Sequence, residues 1–546
     1  MDVVWGTNQN SPIKTESERN YAPNTKLPIG MQDFEAIRSD GYLYVDKTEY
    51  IYKLVHYGKP YFLSRPRRFG KSLLLSTIAA YWEGKKHLFK DLAIESLEKD
   101  NPNAWESYAV LYFDFNKANY YDDNALENVL DEHLRGWEKE YKCVGETKSL
   151  SERFRKVIEN AFEKTKKQVV VLVDEYDKPL LDIMDLPEKQ DHNRSVFKGF
   201  FSTLKSYDRY LKFVFVTGVT KFSKVSIFSD LNQLQDISMD KAFSGICGIT
   251  SDEINIYFRD WIENLAQNTE ESIQQCKDKL KSMYDGYKFH YNSEGVFNPF
   301  SIMNAFKKCE YGEFWFDSGT PTFLVNKLVD LKYDVQRFTS DEYYVSCRKL
   351  SDYTQDDNDP LPLLYQTGYL TIKGYDKEFD SIRLNYPNDE VKYAFLETLF
   401  PACVDSKDGY DPTDIRSFGK DIENADFNSM RKRFQQLFER LPYPVNGGMV
   451  EWSYQVVVYI VFTLLGKRVQ SEVHTIQGRV DCIVETRNNV YIFEFKIDKS
   501  SQEALKQIDE RNYTKAYSAD SRNIYRIGVN FNSKMRNIDE WEVKTC

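Results

Sequence analysis

Residues 60–81, PYFLSRPRRFGKSLLLSTIAAY, read as a short apolar strand at Tyr61–Leu63, a basic loop ending in Phe69-Gly70-Lys71-Ser72, and a helix running on through Tyr81. A strand, a loop closing in Gly-Lys-Ser and a helix together make a phosphate cradle. Loop amides and the helix N-terminus aim donors at an anion, the lysine reaches the β- and γ-phosphates of a nucleotide, and the serine hydroxyl holds Mg²⁺. Gly70, Lys71 and Ser72 are therefore candidate nucleotide-binding residues, with Ser72 also a metal ligand. Arg65 stands where the first glycine of the pattern would be, so only the Gly-Lys-Ser end is intact. An isolated Gly-Lys-Ser equally fits a turn before a helix, and the rest of the chain has to decide.

Downstream, Val110–Phe115 reads as a second buried strand, followed by helical segments at Ala125–Tyr141 and Ser149–Lys164. Val169–Val173 is a run of β-prone residues that leads into Asp174-Glu175-Tyr176-Asp177. A helix near Arg194–Lys205 precedes a fourth strand, Phe213–Val216, ending in Thr217-Gly218-Val219-Thr220-Lys221. Continuous apolar strands alternating with helices predict a parallel sheet covered on both faces. Ligands bind beyond the carboxyl ends of such strands, and Gly70-Lys71-Ser72, Asp114, Asp174-Glu175 and Thr217 all fall there. An aspartate closing a buried strand beside the phosphate loop can hold Mg²⁺, directly or through water. Glu175 is then placed to polarise a water attacking the γ-phosphate, and Thr217 to sense that phosphate by a hydrogen bond. Asp177 and Lys178 read as loop or salt-bridge residues. Upstream, Leu27–Thr48 is a leading helix and strand, positioned where a nucleotide base could be met.

The chain has 546 residues, too many for one core, and suggests three or four domains. Its formal net charge of −11 argues against a surface coated for nonspecific nucleic-acid binding. The charge is uneven: from Leu441 onward 14 Lys and Arg meet 13 Asp and Glu, so a nucleic-acid site sits more easily at the C-terminal end. The 8 cysteines are scattered with no C-x-x-C, and no signal peptide is visible, which together predict reduced thiols in the cytoplasm. No apolar run is long enough for a membrane span; Val456–Leu465 reads as a core helix.

After Ser251 the pattern turns helical, at Ile254–Leu265 and Glu271–Tyr284, as in the helical lid that follows many ATPase cores. Leu361–Tyr369 reads as a helix leading into a hairpin, Leu370–Lys373 with Ser381–Tyr386, and a further helix after Asn388-Asp389. That order fits a winged-helix module. The hairpin carries no basic cluster, so a coupling role is favoured over DNA binding. Lys407–Leu441 is polar and charged and reads as a linker.

The last constellation lies near the C-terminus. Asp481 falls on one strand of a hairpin, with a turn at Arg487-Asn488-Asn489; Glu494 and Lys496, two apart on its partner, face the same side. Two carboxylates with a lysine suit phosphodiester hydrolysis. The carboxylates bind Mg²⁺ or Mn²⁺, and the lysine orients the nucleophile and stabilises developing charge. Glu451 on a preceding helix can add a ligand through water. Gln507, on a helix Gln502–Ile508, can position the lysine or the phosphate backbone. A bare E-x-K is common on surface hairpins. Here the pair sits on the polar side of an otherwise apolar strand, inside a complete helix–strand–turn–strand–helix unit.

LPIGMQDFEAIRSDGYLYVDKT (27–48), SRPRRFGKSLLLS (64–76), VVVLVDEYDKPL (169–180), VTGVTKFSKVSIFSDLNQL (216–234), SGTPTFL (318–324), LLYQTGYL (363–370) and GRVDCIVET with VYIFEFK (478–496) occur in that order. The series resembles a large family of bacterial proteins that join an AAA-ATPase-like domain to a C-terminal PD-(D/E)XK nuclease-superfamily domain. That family also shows R-P-R-R-F-G-K-S, which makes Arg65 a family trait, and its leading "PD" is here Val480-Asp481. The resemblance implies ATP binding by Lys71 and Ser72, metal and water handling by Asp174 and Glu175, and nuclease roles for Asp481, Glu494, Lys496 and Gln507.

The expected architecture is α/β. A disordered extension (1–25) precedes a P-loop NTPase parallel-sheet domain (26–250), a helical lid and winged-helix-like region (251–400), a linker (401–440) and an α/β restriction-endonuclease-like domain (441–546). The expected function is an ATPase coupled to a metal-dependent nuclease acting on DNA more than RNA. ATP with Mg²⁺ serves the first site, and Mg²⁺ or Mn²⁺ the second. A homo-oligomer and a trans-acting arginine stay open, with Arg65, Arg67 and Arg68 able to serve phosphate or a partner subunit. The rival expectation is a nucleotide-dependent switch or scaffold whose nuclease-like fold binds without cutting. A membrane-surface role is opposed by the acidic charge.

Overall fold

The computed structural model describes residues 25–58, 60–145, 149–222, 234–316, 322–339, 344–351, 359–403, 412–439, 456–457, 459–464, 472–476, 481–511, 513–517 and 520–545. The expected N-terminal extension, Met1–Asn24, lies outside them. The chain divides into two compact units, one carried by the chain up to Trp315 together with Gln366–Gly368, the other by most of the chain from Phe316 onward.

The first unit is built on strands β1 (Pro60–Ser64), β2 (Ala109–Asp114), β3 (Val169–Asp174), β4 (Leu211–Gly218) and β5 (Gln235–Asp236). They form one parallel sheet in the order β2-β3-β4-β1-β5. Every residue of β3 is buried, as its unbroken apolar run demands of a strand covered on both faces. Helix Lys71–Trp82 packs on β2, β3 and β4. Helices Ala125–Glu140, Leu150–Thr165 and Pro187–Ser206 pack with one another, and the first two also pack on the sheet. There Phe113 meets the rings of Trp137, Phe154 and Phe200 edge-on. Such pairs add to the area they bury because the ring edge complements the ring face. The strand holding Asp174 is not adjacent to the phosphate-loop strand: β4 lies between them.

The helical region splits where one long helix was expected. Ser251–Tyr257 starts at a capping box of Thr250 and Glu253, and Arg259–Asn268 follows after Phe258. Phe258 leaves helical geometry to bury itself against Phe306 and Trp261. Tertiary packing overrides the helical periodicity here. These helices, with Ile273–Tyr284 and Pro299–Lys308, enclose a core that includes Leu43 from the leading segment. That leading segment is spent on internal bonds. Asp46 accepts from Thr48 and from the Ala93 amide, and Lys47 bonds Glu253 and the Gly245 carbonyl.

In the second unit, helix Leu361–Thr367 leads into β7 (Thr371–Asp376) and β8 (Ser381–Asn385), followed by helix Asp389–Cys403. A third strand not expected from sequence, β6 (Tyr344–Ser346), pairs with β8. The C-terminal sheet holds β9 (Glu472–Ile476), β10 (Asp481–Glu485), β11 (Asn489–Ile497), β12 (Asn523–Asn532) and β13 (Asn537–Thr545) in consecutive order. All neighbours are antiparallel except β11 and β12, which run parallel across helix Ser501–Glu510.

The stretch expected to be a linker, 401–440, is instead largely helical, at Pro412–Glu423 and Phe427–Glu439. Lys420, Glu423, Lys432 and Glu439 are exposed, while Phe418, Ile422, Met430, Phe434 and Phe438, spaced by multiples of four, are buried. Phe434 touches the rings of Phe418, Phe462, Phe495 and Trp541, and the Tyr491 hydroxyl donates to the Ile422 carbonyl. These helices are part of the C-terminal fold. Phe434→Ala is expected to cost that fold about 3–5 kcal/mol, read as an earlier denaturant midpoint for the second unit. A linker residue would leave the midpoint unchanged.

Candidate functional site

The first site gathers at the carboxyl ends of β1, β3 and β4. Gly70 precedes helix Lys71–Trp82 with φ +93°, a left-handed conformation that suits glycine, and Arg68 also sits at positive φ, +67°. Lys71, the first helical residue, is only 4% exposed. Its Nζ donates to the backbone oxygens of Arg65 and Pro66 at 3.1 and 3.2 Å. Ser72 follows, half-buried.

Asp174 is 4% exposed and both its carboxylate oxygens are engaged. Thr217 Oγ1 donates to Oδ1 at 2.8 Å and the Tyr112 hydroxyl donates to Oδ2 at 3.3 Å. Thr217, expected to sense phosphate, is fully buried and spends its hydroxyl proton on Asp174. Tyr112 was not anticipated, although it lies two residues before Asp114 and so shares its face of β2. Burial first, and then the Asp174 charge, keep its phenol protonated.

Glu175 holds φ +49°. Its neighbours impose that turn: the Tyr176 amide donates to the Thr217 carbonyl and the Lys178 amide to Glu175's own carbonyl. Asp177, expected to be a loop or salt-bridge residue, is a buried clamp. Its carboxylate accepts from the amides of Val219 and Thr220 and from Thr220 Oγ1. Lys178 pairs with Asp182, as a salt-bridge residue should.

Burial pushes the Glu175 carboxyl above its ordinary value. The Lys71 charge works against that shift, Asp174 and Asp177 add to it, and Lys178 opposes it.

The second site lies on β11. Alternation puts Val490, Ile492, Glu494 and Lys496 on one face and Tyr491, Phe493 and Phe495 on the other. Helix Ser501–Glu510 covers the first face, with Leu505 and Ile508 packed on Val490 and Ile492. Glu494 is 0% exposed. One of its oxygens accepts from Lys496 Nζ; the other, Oε2, is buried with no partner among the described residues. Gln507 Nε2, on the covering helix, is likewise buried without a partner among them. Gly528 of β12 is the register partner of Glu494, and a Cβ there would lie 2.3 Å from the Ser501 carbonyl oxygen. Glycine is what lets the helix lie so close to the sheet beside the glutamate. Asp481 is the register partner of Glu494 on β10, which agrees with the hairpin expected from sequence. Glu451 lies outside the described residues.

A carboxylate oxygen buried without a donor is costly unless something binds it. A carboxylate oxygen is the kind of atom a hard divalent cation takes, and among the described residues Glu494 is not joined by a cluster of three or more metal-ligating side chains. At the first site, a buried lysine at a helix N-terminus beside two carboxylates suits a nucleotide phosphate with its metal.

Residues 28–228 match the family described as "Predicted AAA-ATPase", and residues 449–541 match the "PD-(D/E)XK nuclease superfamily". A curated protein of Azotobacter chroococcum mcd 1, described as an "Uncharacterized protein in vnfD 5'region", is 34% identical over 532 residues, covering 94% of this chain and 98% of the relative. The chain belongs to the family that joins a predicted AAA-ATPase to a PD-(D/E)XK nuclease-superfamily domain. The ATPase match spans Gly70 through Thr217, and the nuclease-superfamily match spans Asp481 through Gln507. Among the described residues, no helix is long and apolar enough to cross a membrane.

The raised Glu175 value has a measurable consequence. The folded chain holds that proton more tightly than the unfolded one, so the group's contribution to stability is complete below the unfolded value and falls away as pH rises through the folded value. Glu175→Gln is therefore expected to melt higher than wild type at about pH 8, with the advantage vanishing toward about pH 4. A constant difference across the range, read by scanning calorimetry, would contradict this.

Proposed function

We propose that the first unit binds and hydrolyses ATP, and that this gates hydrolysis of nucleic-acid phosphodiester bonds, chiefly in DNA, at the second site. The observation that carries the second half is Glu494: fully buried, with one oxygen on Lys496 and the other partnerless among the described residues.

At the ATP site the roles divide by position. The amides around Gly70 and the start of helix Lys71–Trp82 receive phosphate oxygens, and Lys71 moves from the Arg65 and Pro66 carbonyls to the β/γ-phosphates. Ser72 and Asp174 would hold Mg²⁺, with Asp174 kept in orientation by Thr217 and Tyr112. Glu175, made more basic by burial, accepts a proton from the attacking water.

At the nuclease site Asp481 and Glu494 would hold Mg²⁺ or Mn²⁺, which when bound lowers the pKa of a water and offsets charge on the scissile phosphate. Lys496 orients the nucleophile and stabilises charge on the phosphate as it develops. Gln507 supplies a buried donor for the lysine's surroundings or for the nucleic-acid backbone. A cytoplasmic setting fits the free thiols of Cys143, Cys247, Cys276, Cys309, Cys347 and Cys482.

Labelled single- and double-stranded DNA and RNA, incubated with Mg²⁺ or Mn²⁺ and with or without ATP, test the proposal. Wild type should cut, and Glu494→Gln and Lys496→Ala should each lose at least about 100-fold while still binding ATP. Cutting unaffected by Glu494→Gln would refute the site. Absence of cutting on every substrate, with ATP hydrolysis intact, would turn the reading to a nucleotide-dependent switch.

A further inference from the structure

Arg65 occupies the position of the usual first glycine in the phosphate loop, and its surroundings differ from those of a phosphate ligand. It is 1% exposed. Its Nη1 donates to the carbonyls of Ser64 and Ser238 at 2.8 and 2.7 Å, and its Nη2 donates to the Phe243 carbonyl at 3.1 Å. The guanidinium carbon stands 3.9 Å from the centroid of the Phe289 ring. A planar fork held by carbonyls in its edge directions and by a ring on its face has nowhere to move. Reaching a phosphate would strip buried carbonyls of their donors, each a penalty of its own.

The main chain of the same residue is fixed as well. The Arg65 amide donates to the Gly218 carbonyl at 3.1 Å, at the end of β4. Its carbonyl, with that of Pro66, receives Lys71 Nζ. The turn that the first glycine would provide is made later, by left-handed Arg68 and Gly70. The next residues are held in turn: Trp315 Nε1 donates to the Arg67 carbonyl, and the Gly248 amide donates to the Phe69 carbonyl.

We propose that Arg65 is a positioning residue for Lys71. Its buried guanidinium fixes the Arg65–Pro66 carbonyl pair, from which the lysine ammonium is released to the β/γ-phosphates. Arg65 thereby sets ATP affinity without touching ATP. This rests on the nucleotide-binding reading of the first site and goes beyond it by assigning the residue that departs from the glycine pattern.

The test uses the full chain, below its melting onset, with affinities from competition against a fluorescent ATP analogue. Wild type, Arg65→Lys, Arg65→Ala, Lys71→Ala and the double variant Arg65→Lys/Lys71→Ala are compared. Arg65→Lys keeps the charge, loses the fork and guards against a misfolded alanine variant. It should weaken ATP and ADP by about tenfold and AMP by less than about twofold, the selectivity that loss of the lysine itself produces. On the Lys71→Ala background the same substitution should change ATP affinity by less than about twofold, because the group it positions is gone. Equal losses for ATP, ADP and AMP, or the same tenfold loss on both backgrounds, would mean a merely structural role and overturn the proposal. Wild-type ATP affinity in both Arg65 variants, alongside a loss in Lys71→Ala, would remove this proposal alone. No ATP binding by wild type would remove the nucleotide reading together with it.

Discussion

A parallel sheet covered on both faces has room for polar side chains only at its strand ends, and the first unit is organised by that constraint. Strand β3 is buried along its whole length and its first polar residue is Asp174. The loop after β1 and the end of β4 terminate at the same edge, so the phosphate loop, Asp174-Glu175 and Thr217 assemble without any long-range signal of their own. The strand between the phosphate loop and Asp174 contributes the Thr217 hydroxyl that donates to Asp174.

Burying charge at that edge is expensive, and the hydrogen bonds show how the cost is met. Asp174 has two side-chain donors, Asp177 two backbone amides and a hydroxyl, and Arg65 a set of carbonyls. Each is a buried polar group held by fixed dipoles, an arrangement that is stable only while every partner stays in place. Burial pushes Glu175 toward its neutral form, and it pushes Asp177 the same way against the bonds from Thr220 and Val219. In the second unit Glu494 is buried with one oxygen accepting from Lys496 and the other without a partner among the described residues.

Much of this was legible in the residues. The Gly-Lys-Ser loop, the run of valines ahead of Asp174-Glu175 and the E-x-K strand are local patterns, and local patterns survive into structure when burial agrees with them. The failures have a common physical origin. The segment 412–439 carries so many charges that it resembles a linker, yet its apolar residues recur at a spacing of four and find a sheet to cover. The helix near Phe258 was expected to continue, and the pull of Phe306 and Trp261 broke it. Arg65 resembles an exposed basic residue among others, and only the carbonyls of Ser238 and Phe243, distant in sequence, make it internal.

The sequence by itself determined the fold class of both ends, the order of their strands along the chain, and the identity of the phosphate-loop and E-x-K residues. Those depend on periodicity and on residue chemistry within a few positions, which the linear chain carries. Tertiary structure decided which strands became neighbours, which carboxylates were met by donors, and that the Thr217 hydroxyl meets Asp174 while the Arg65 guanidinium meets the carbonyls of Ser238 and Phe243. Those properties arise from groups far apart in sequence that meet only when burial forces each polar atom to find a partner.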